Sequence, residues 1–172
     1  MVECTGALRQ MLKDLGVVQT GEFVLASGRK SDYFVNIKRA STNPQTLREI
    51  ARAMAGHVGD SKIAGMALGA VPIAVAVALE TGNPYVMVRK AAKSHGTKDL
   101  IEGEVESGDI FVIVEDVATT GGSTLRVAEA LKSEGASVSK AVVVVDREEG
   151  ASELLSQNGI ELVSIFKAKD LT

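Results

Sequence analysis

The feature that most constrains the fold is a regular alternation of short apolar runs with segments of helical periodicity. Two of the runs, IFVIV and AVVVV, are uninterrupted and rich in β-branched residues, as is typical of strands buried on both faces of a parallel sheet. The alternation predicts an α/β fold with an open, mostly parallel sheet flanked by helices. The predicted strands cover residues 62–68, 85–89, 110–115, 138–145 and 160–166.

Helix signals fill the intervals between these strands. Asn43 suits an N-cap position before Pro44, and apolar residues then recur at helical spacing as far as Val58. Gly135 stands where a helix that ends near residue 134 needs a left-handed residue. Helices are predicted over residues 5–15, 43–58, 72–81, 122–134 and 149–158.

Two regions fall outside the alternation. Residues 26–39, ASGRKSDYFVNIKR, alternate like a hairpin, and residues 90–108 are charged and lack a helical period. No repeat or linker divides the chain, and 172 residues are few for two domains. We expect a single domain over residues 1–172, in which a small N-terminal hood, residues 1–40, covers a core, residues 41–172.

Composition narrows the classes of function. A net charge of −3 and 3% aromatic residues argue against a nucleic-acid partner. The uncharged residues 63–79 are interrupted by Gly69 and Pro72, so we read them as core and expect no membrane partner. Cys4 is the only cysteine, which indicates a reducing compartment and argues against a zinc cluster. We therefore expect a cytoplasmic protein.

The segment VIVEDVATTGGST, residues 112–124, carries the clearest chemical signal. Open parallel sheets bind ligands beyond the carboxyl ends of their strands, where Glu115 and Asp116 are expected. The two glycines allow close backbone approach, and the N–H groups at the start of the next helix suit a phosphate. Carboxylates repel phosphate but accept hydrogen bonds from sugar hydroxyls. The pattern therefore predicts a ligand with a phosphate and a nearby diol, and the alternative is a solvated turn.

This segment resembles the phosphoribosyl pyrophosphate (PRPP) motif of type I phosphoribosyltransferases. The sequence has no GxxxxGK[ST] and no GxGxxG, the fingerprints of other phosphate-binding loops. The resemblance implies the fold of that family, with the two acids on the ribose hydroxyls and the following loop around the 5′-phosphate. The residues that it assigns to PRPP here are Glu115, Asp116, Val117, Ala118, Thr119, Thr120, Gly121, Gly122 and Ser123.

A second segment, VRKAAKSHGTKDLIEG, concentrates basic residues in an acidic chain. Lysines are good point-charge partners for pyrophosphate, although a solvated surface loop is the simpler alternative. Its spacing resembles the catalytic loop of orotate phosphoribosyltransferases. The resemblance assigns catalysis to Lys93, His95 and Asp116. It adds four basic-loop residues to the PRPP site, namely Arg89, Lys90, Lys93 and His95.

Two more segments resemble the parts of the same family that bind the base. In VVVVDREEG the matching arginine is Arg147, and in FVLASGRKSDYFVNIKR the hood residues are Tyr33 and Phe34. With Thr119, these residues are the implied orotate site. The chain departs from bacterial members at Ala26, where they carry lysine, and in the shorter pyrophosphate loop LGAVPIA.

The resemblance also implies a reaction and its partners. Orotate and PRPP would give orotidine 5′-monophosphate and pyrophosphate in de novo pyrimidine (UMP) biosynthesis. Mg²⁺ would be held mainly through PRPP and water, without dedicated protein ligands. A homodimer would share its sites through the basic loop. Two alternatives stay open: a phosphoribosyltransferase for another base, and a non-catalytic ligand sensor that regulates transcription, although no DNA-reading element is found.

Overall fold

The computed structural model describes residues 2–24, 28, 30–91 and 100–172, with side chains from Thr5 onward. The helices are α1 Val2–Asp14, α2 Lys38–Ser41, α3 Pro44–Ala55, α4 Val71–Thr81, α5 Gly122–Ser133 and α6 Ala151–Gln157, followed by a 3-10 helix at Ala168–Asp170. The strands are β1 Val18–Val24, β2 Lys30–Val35, β3 Lys62–Met66, β4 Tyr85–Val88, β5 Ile101–Glu102, β6 Ile110–Ala118, β7 Ser137–Asp146 and β8 Glu161–Lys167.

Six strands form the central sheet in the order β5-β4-β3-β6-β7-β8. All neighbours are parallel except β5, which pairs antiparallel with β4 at one edge. The chain runs outward from β3 to β4 and then returns to β6 before it continues to β7 and β8. The strand order therefore reverses between β3 and β6, which is where open α/β sheets form a ligand crevice. The predicted α/β fold with a mostly parallel sheet is confirmed.

Helices cover both faces of this sheet. On β6, Val112 and Val114 pack in the hydrophobic cluster that contains α1, α3 and α4, while Phe111 and Ile113 pack in the cluster that contains α5 and α6. Successive strand residues point to opposite faces, so an uninterrupted apolar run is the pattern that a sheet covered on both sides requires. No helix in the described ranges has the length and hydrophobicity of a membrane span.

The start of α3 is determined by the local sequence. The Asn43 side-chain oxygen accepts hydrogen bonds from the backbone N–H groups of Gln45 and Thr46, both at 3.1 Å. The predicted N-cap is therefore confirmed. The helix ends at Ala55 rather than at the predicted Val58, and a tighter turn follows it.

Strand β6 is longer than predicted, and this corrects the placement of the acidic pair. The expected strand ended at Glu115, but the ladder with β7 continues, with Val117 beside Val145 and Ala118 beside Asp146. Asp116 is therefore a strand residue and does not belong to the loop. Its position is fixed by a neighbouring strand, which the local sequence does not reveal.

The hood hairpin and the edge strand also differ from expectation. The hairpin pairs β1 with β2 in antiparallel fashion, so its first strand begins at Val18, upstream of the predicted segment. The segment 90–108, predicted to be irregular, contains β5, whose two residues Ile101 and Glu102 pair with Val88 and Met87.

Candidate active site

A cavity of about 560 Å³ lies at the switch point between β3 and β6. Its walls come from the loop after β3, the end of β6 with the following loop, the start of α5, and the end of the hood strand β2. Most of the residues predicted to bind PRPP therefore lie around one cavity. Those that line it are Lys90, Glu115, Asp116, Val117, Thr119, Thr120, Gly121, Gly122 and Ser123.

The two acids on β6, Glu115 and Asp116, lie in different environments. Glu115 is 5% exposed, whereas Asp116 is half-buried at the cavity. The backbone N–H of Asp116 donates to Glu115 Oε1 at 3.2 Å, and that of Val117 donates to Asp116 Oδ1 at 2.8 Å. Burial, and then the charge of Asp116, raise the pKa of Glu115 well above its ordinary value of 4.5, with Lys90 opposing. Glu115 therefore retains its proton more readily than an exposed glutamate does.

The loop after β3 approaches Asp116 very closely. A Cβ atom added to Gly69 would lie 2.5 Å from Asp116 Oδ2, closer than any real side-chain contact allows. Gly69 does not have a positive φ, so steric room and not backbone conformation requires glycine here. The adjacent peptide bond between Ala67 and Leu68 is cis. The position of the Asp116 carboxylate thus depends on the absence of a side chain at residue 69.

The loop after β6 turns directly into α5. Gly121 has φ of +82° as the residue before the helix, and a Cβ there would lie 3.2 Å from Ala151 Cα at the start of α6. The first intrahelical bond runs from the Leu125 N–H to the Gly121 carbonyl at 2.9 Å. The N–H groups that precede Leu125 in the helix therefore lack an intrahelical acceptor and provide an anion-binding end beside the cavity.

Arg147, just after β7, joins the core to the hood. Its side chain donates from Nε to Glu149 Oε1 at 2.8 Å and from Nη2 to Ser31 Oγ at 2.9 Å. The guanidinium carbon lies 4.3 Å from the centroid of the Tyr33 ring. Arg147 and Phe34 line the 560 Å³ cavity with Thr119. Tyr33 instead stacks on Arg147 and faces a second, open cavity of about 690 Å³ between the hairpin and Glu149.

The remaining predicted site residues have other placements. Arg89 donates from Nε to Glu102 Oε1 at 2.7 Å and does not line the cavity, and Ala118 is buried, with its carbonyl accepting from the Arg147 N–H at 3.0 Å. Lys93 and His95 lie outside the described residues, as does Ala26.

Two basic residues line the cavity that the sequence reasoning did not assign, Lys38 and Arg126. Arg126 lies three residues after Ser123 on α5, and this spacing places the two on one helix face. That spacing could have revealed it. Lys38 begins α2, three residues after the hood strand ends. With Lys90 and Arg147, four basic residues therefore line the same cavity as the two acids, which suits a ligand with several negative charges.

The described residues contain no group of three or more His, Cys, Asp or Glu side chains arranged to hold a metal ion. Asp116 presents its carboxylate at the cavity, and the loop beside it is built from hydroxyl and glycine residues. Oxygen donors of this kind suit Mg²⁺, which commonly binds through one carboxylate, water and the phosphates of a substrate.

Comparison with known proteins identifies the family. Residues 37–163 match the phosphoribosyl transferase domain. The orotate phosphoribosyltransferase of Methanothermobacter thermautotrophicus is 49% identical over 164 residues, which cover 95% of this chain and 91% of that protein. The crystal structure of orotate phosphoribosyltransferase from Aeropyrum pernix matches with a TM-score of 0.84 at 38% identity, covering 95% of each chain.

A third relative has been solved with a ligand. The crystal structure of Mycobacterium tuberculosis H37Rv orotate phosphoribosyltransferase in complex with PRPP matches with a TM-score of 0.80 at 32% identity, covering 98% of both chains. The resemblance predicted from four sequence segments thus extends over nearly the whole fold. The chain belongs to the phosphoribosyl transferase family and, within it, to the orotate phosphoribosyltransferases.

Proposed function

We propose that the chain transfers the 5-phosphoribosyl group of PRPP to orotate, giving orotidine 5′-monophosphate and pyrophosphate. One observation carries the proposal. A single cavity at the switch point of the sheet joins an acidic pair, an anion-binding helix start and an arginine beside an aromatic ring. These three elements match the diol, the phosphate and the anionic base of the two substrates.

The acidic pair acts on the ribose. Asp116 accepts hydrogen bonds from the vicinal hydroxyls, and Glu115, whose raised pKa favours the protonated form, can both donate and accept. As the bond from C1′ to the pyrophosphate oxygen breaks and the bond to the base nitrogen forms, positive charge develops on the sugar, by analogy with glycoside hydrolysis. The negative charge of Asp116 stabilises that charge because it is fixed in place beforehand.

The 5′-phosphate of PRPP and the base orotate are bound by different walls of the cavity. The amides of residues 119–123 hold the 5′-phosphate, while Arg147, Phe34 and Thr119 hold orotate, whose carboxylate pairs with the guanidinium. Lys90 contributes positive charge toward the pyrophosphate. We assign the same role to Lys93 and His95 on the sequence pattern, and His95 can also donate a proton to the leaving group.

Mg²⁺ is the proposed cofactor, and it would neutralise pyrophosphate charge when bound. Asp116 and the hydroxyls of the loop beside it would supply any protein oxygens, and oxygens of PRPP and water would supply most of the ligands. Leu8, Leu12 and Val35 of the hood pack in the same hydrophobic cluster as Ile50 and Ile63 of the core. This shared cluster supports a single domain. A cytoplasmic location is proposed from the cysteine content.

The proposed reaction has a direct test. Mixing the protein with orotate, PRPP and Mg²⁺ should change the ultraviolet absorbance of orotate as the glycosidic bond forms, and omission of PRPP should abolish the change. Adenine, guanine, hypoxanthine and uracil are the control bases. If the protein turned over any of these bases faster than orotate, orotate would not be its substrate.

We also propose a homodimer in which the basic loop completes the neighbouring site. The length of residues 90–108 and the basic residues Lys90, Lys93, His95 and Lys98 at its start support this arrangement, together with the family resemblance. Mixed dimers of inactive Lys93→Ala and Asp116→Asn subunits should recover activity, since one site in each mixed dimer contains both native residues. About a quarter of the wild-type rate is the ceiling for random mixing of equal amounts. No recovery at any ratio would contradict the shared site.

A further inference from the structure

We infer that Ser31 and Glu149 are positioning residues that fix the Arg147 guanidinium for recognition of the carboxylate of orotate. The inference rests on the proposed function and deepens it. It assigns the orientation of the arginine to one residue from the hood and one from the core, neither of which lines the 560 Å³ cavity. Both residues instead line the second cavity, the one between the hairpin and Glu149.

The guanidinium is held along one edge. Nε donates to Glu149 and Nη2 donates to Ser31, while the Tyr33 ring covers one face at 4.3 Å. No described residue accepts a hydrogen bond from Nη1. Because Arg147 also lines the reaction cavity, the end of the guanidinium formed by Nη1 and Nη2 is the part that can pair with an anionic ligand. Two N–H donors in a fixed fork suit a carboxylate.

Glu149 supplies the charge that keeps Arg147 in a buried position. The side chain of Arg147 is 3% exposed and that of Glu149 is 16% exposed, so little solvent screens the pair. A buried guanidinium without a counterion would be costly, and it would move toward solvent or toward another acid. Asp116 lines the same cavity and is such an acid. Glu149 thus holds the arginine away from the ribose acids.

The turn after β7, which carries Arg147 and Glu149, is also anchored by Glu148. Glu148 has φ of +57°, a conformation that is uncommon for a residue with a side chain. Its N–H donates to Asp146 Oδ1 at 2.8 Å, and its carboxylate pairs with Lys167 at the end of β8 and with Lys169 in the following 3-10 helix. These contacts turn residue 148 outward and leave Arg147 and Glu149 directed toward the hood.

Ser31 makes the arginine sensitive to the position of the hood. Its hydroxyl accepts from Arg147 and donates to the Tyr33 carbonyl at 2.7 Å, so it connects the guanidinium to the main chain of β2. The residue next to Tyr33 is Phe34, which lines the reaction cavity. The aromatic ring and the arginine of the base site are therefore fixed relative to each other through Ser31.

The test separates base recognition from sugar recognition. Ser31→Ala and Glu149→Gln should each raise the KM for orotate about tenfold or more, because each removes a hydrogen bond or a charge that orients an ionic contact. The KM for PRPP should stay within about twofold, since the ribose and phosphate walls are untouched. Ser31→Thr, which retains the hydroxyl, should restore most of the orotate affinity.

Matched controls come from the exposed start of α6. Ser152→Ala and Glu153→Gln make the same chemical changes at exposed positions shortly after Glu149 in the sequence, and both should leave the two KM values unchanged. Inhibition by uracil, which lacks the carboxylate, should also be unchanged in Ser31→Ala. Thermal unfolding of each variant checks that the protein is folded. Glu149→Asp provides a second acidic variant should Glu149→Gln fail to fold, and it should give an intermediate KM for orotate.

The outcomes distinguish this inference from the proposed function. Absence of orotate turnover by the wild-type protein, with turnover of another base, overturns the proposed function. An active wild type whose Ser31→Ala and Glu149→Gln variants keep the wild-type KM for orotate overturns only the positioning roles. An equal rise of both KM values in folded variants also overturns them, because it indicates a general structural effect.

Discussion

Asp116→Asn should lower kcat/KM for PRPP by about 100-fold or more, the largest effect that we expect from one isosteric change. The substitution keeps the size of the side chain but removes the negative charge beside the developing cation on the sugar. It also replaces one carboxylate oxygen by an N–H₂ group, which cannot accept a hydrogen bond from a ribose hydroxyl. Steady-state rates with saturating orotate and varied PRPP measure the loss.

Stability provides the internal control for this variant. Native Glu115 holds its proton to higher pH than in the unfolded chain, where a glutamate titrates near its ordinary value of 4.5. The wild-type free energy of unfolding therefore falls as pH rises from about 4.5 toward the pKa of Glu115. Without the Asp116 charge that pKa is lower, so Asp116→Asn should lose less stability over this range. Urea unfolding at about pH 5 and pH 7 tests it. Full activity in a folded variant would contradict the assigned role.

Gly69→Ala should reduce kcat/KM for PRPP by about 10- to 100-fold, the second largest effect. The new methyl group would lie 2.5 Å from Asp116 Oδ2, so either the carboxylate or the loop after β3 must move. Relief of such overpacking typically costs about 1–3 kcal/mol. Because the displaced carboxylate is the one proposed to bind the ribose, the cost should appear in catalysis as well as in thermal stability.

Gly56→Ala is the matched control. Gly56 follows α3 with φ of −63°, and a Cβ atom added there would meet nothing within 4 Å. Both variants make the same chemical change at a glycine without a positive φ, and only one of them touches the acidic pair. An active Gly69→Ala protein with unchanged KM values would show that the loop can shift without moving Asp116.

The parts of the fold that could be predicted are those determined by neighbours in the sequence. The N-cap at Asn43 and the apolar run of β6 each depend on a few consecutive residues, and both were predicted correctly. The end of β6 was not, because pairing with β7 carries the strand on to Ala118. Strand β5, with two residues, is too short to produce a period. The first strand of the hairpin was missed because VQTGEFV contains an internal glycine and alternates poorly.

The same distinction holds for the site. The phosphate loop could be found because its acids, hydroxyls and glycines are consecutive. The approach of Gly69 to Asp116 joins positions far apart in the sequence, as does the hydrogen bond between Ser31 and Arg147, and no local pattern reports such contacts. Arg126 lies between these cases, since helical spacing from Ser123 predicts its direction and only the fold shows that it faces the cavity.

The division of the cavity between contiguous and distant segments has a consequence for how such a protein can change over time. The residues proposed for the sugar and phosphate lie mainly on one strand, one loop and one helix start that are consecutive in the sequence, with the loop after β3 packed against Asp116. Apart from Thr119, the residues proposed for the base come from the hairpin and from the turn after β7, which meet through Arg147. We therefore expect substitutions in those two segments to alter which base is accepted without changing the residues proposed for the sugar and phosphate.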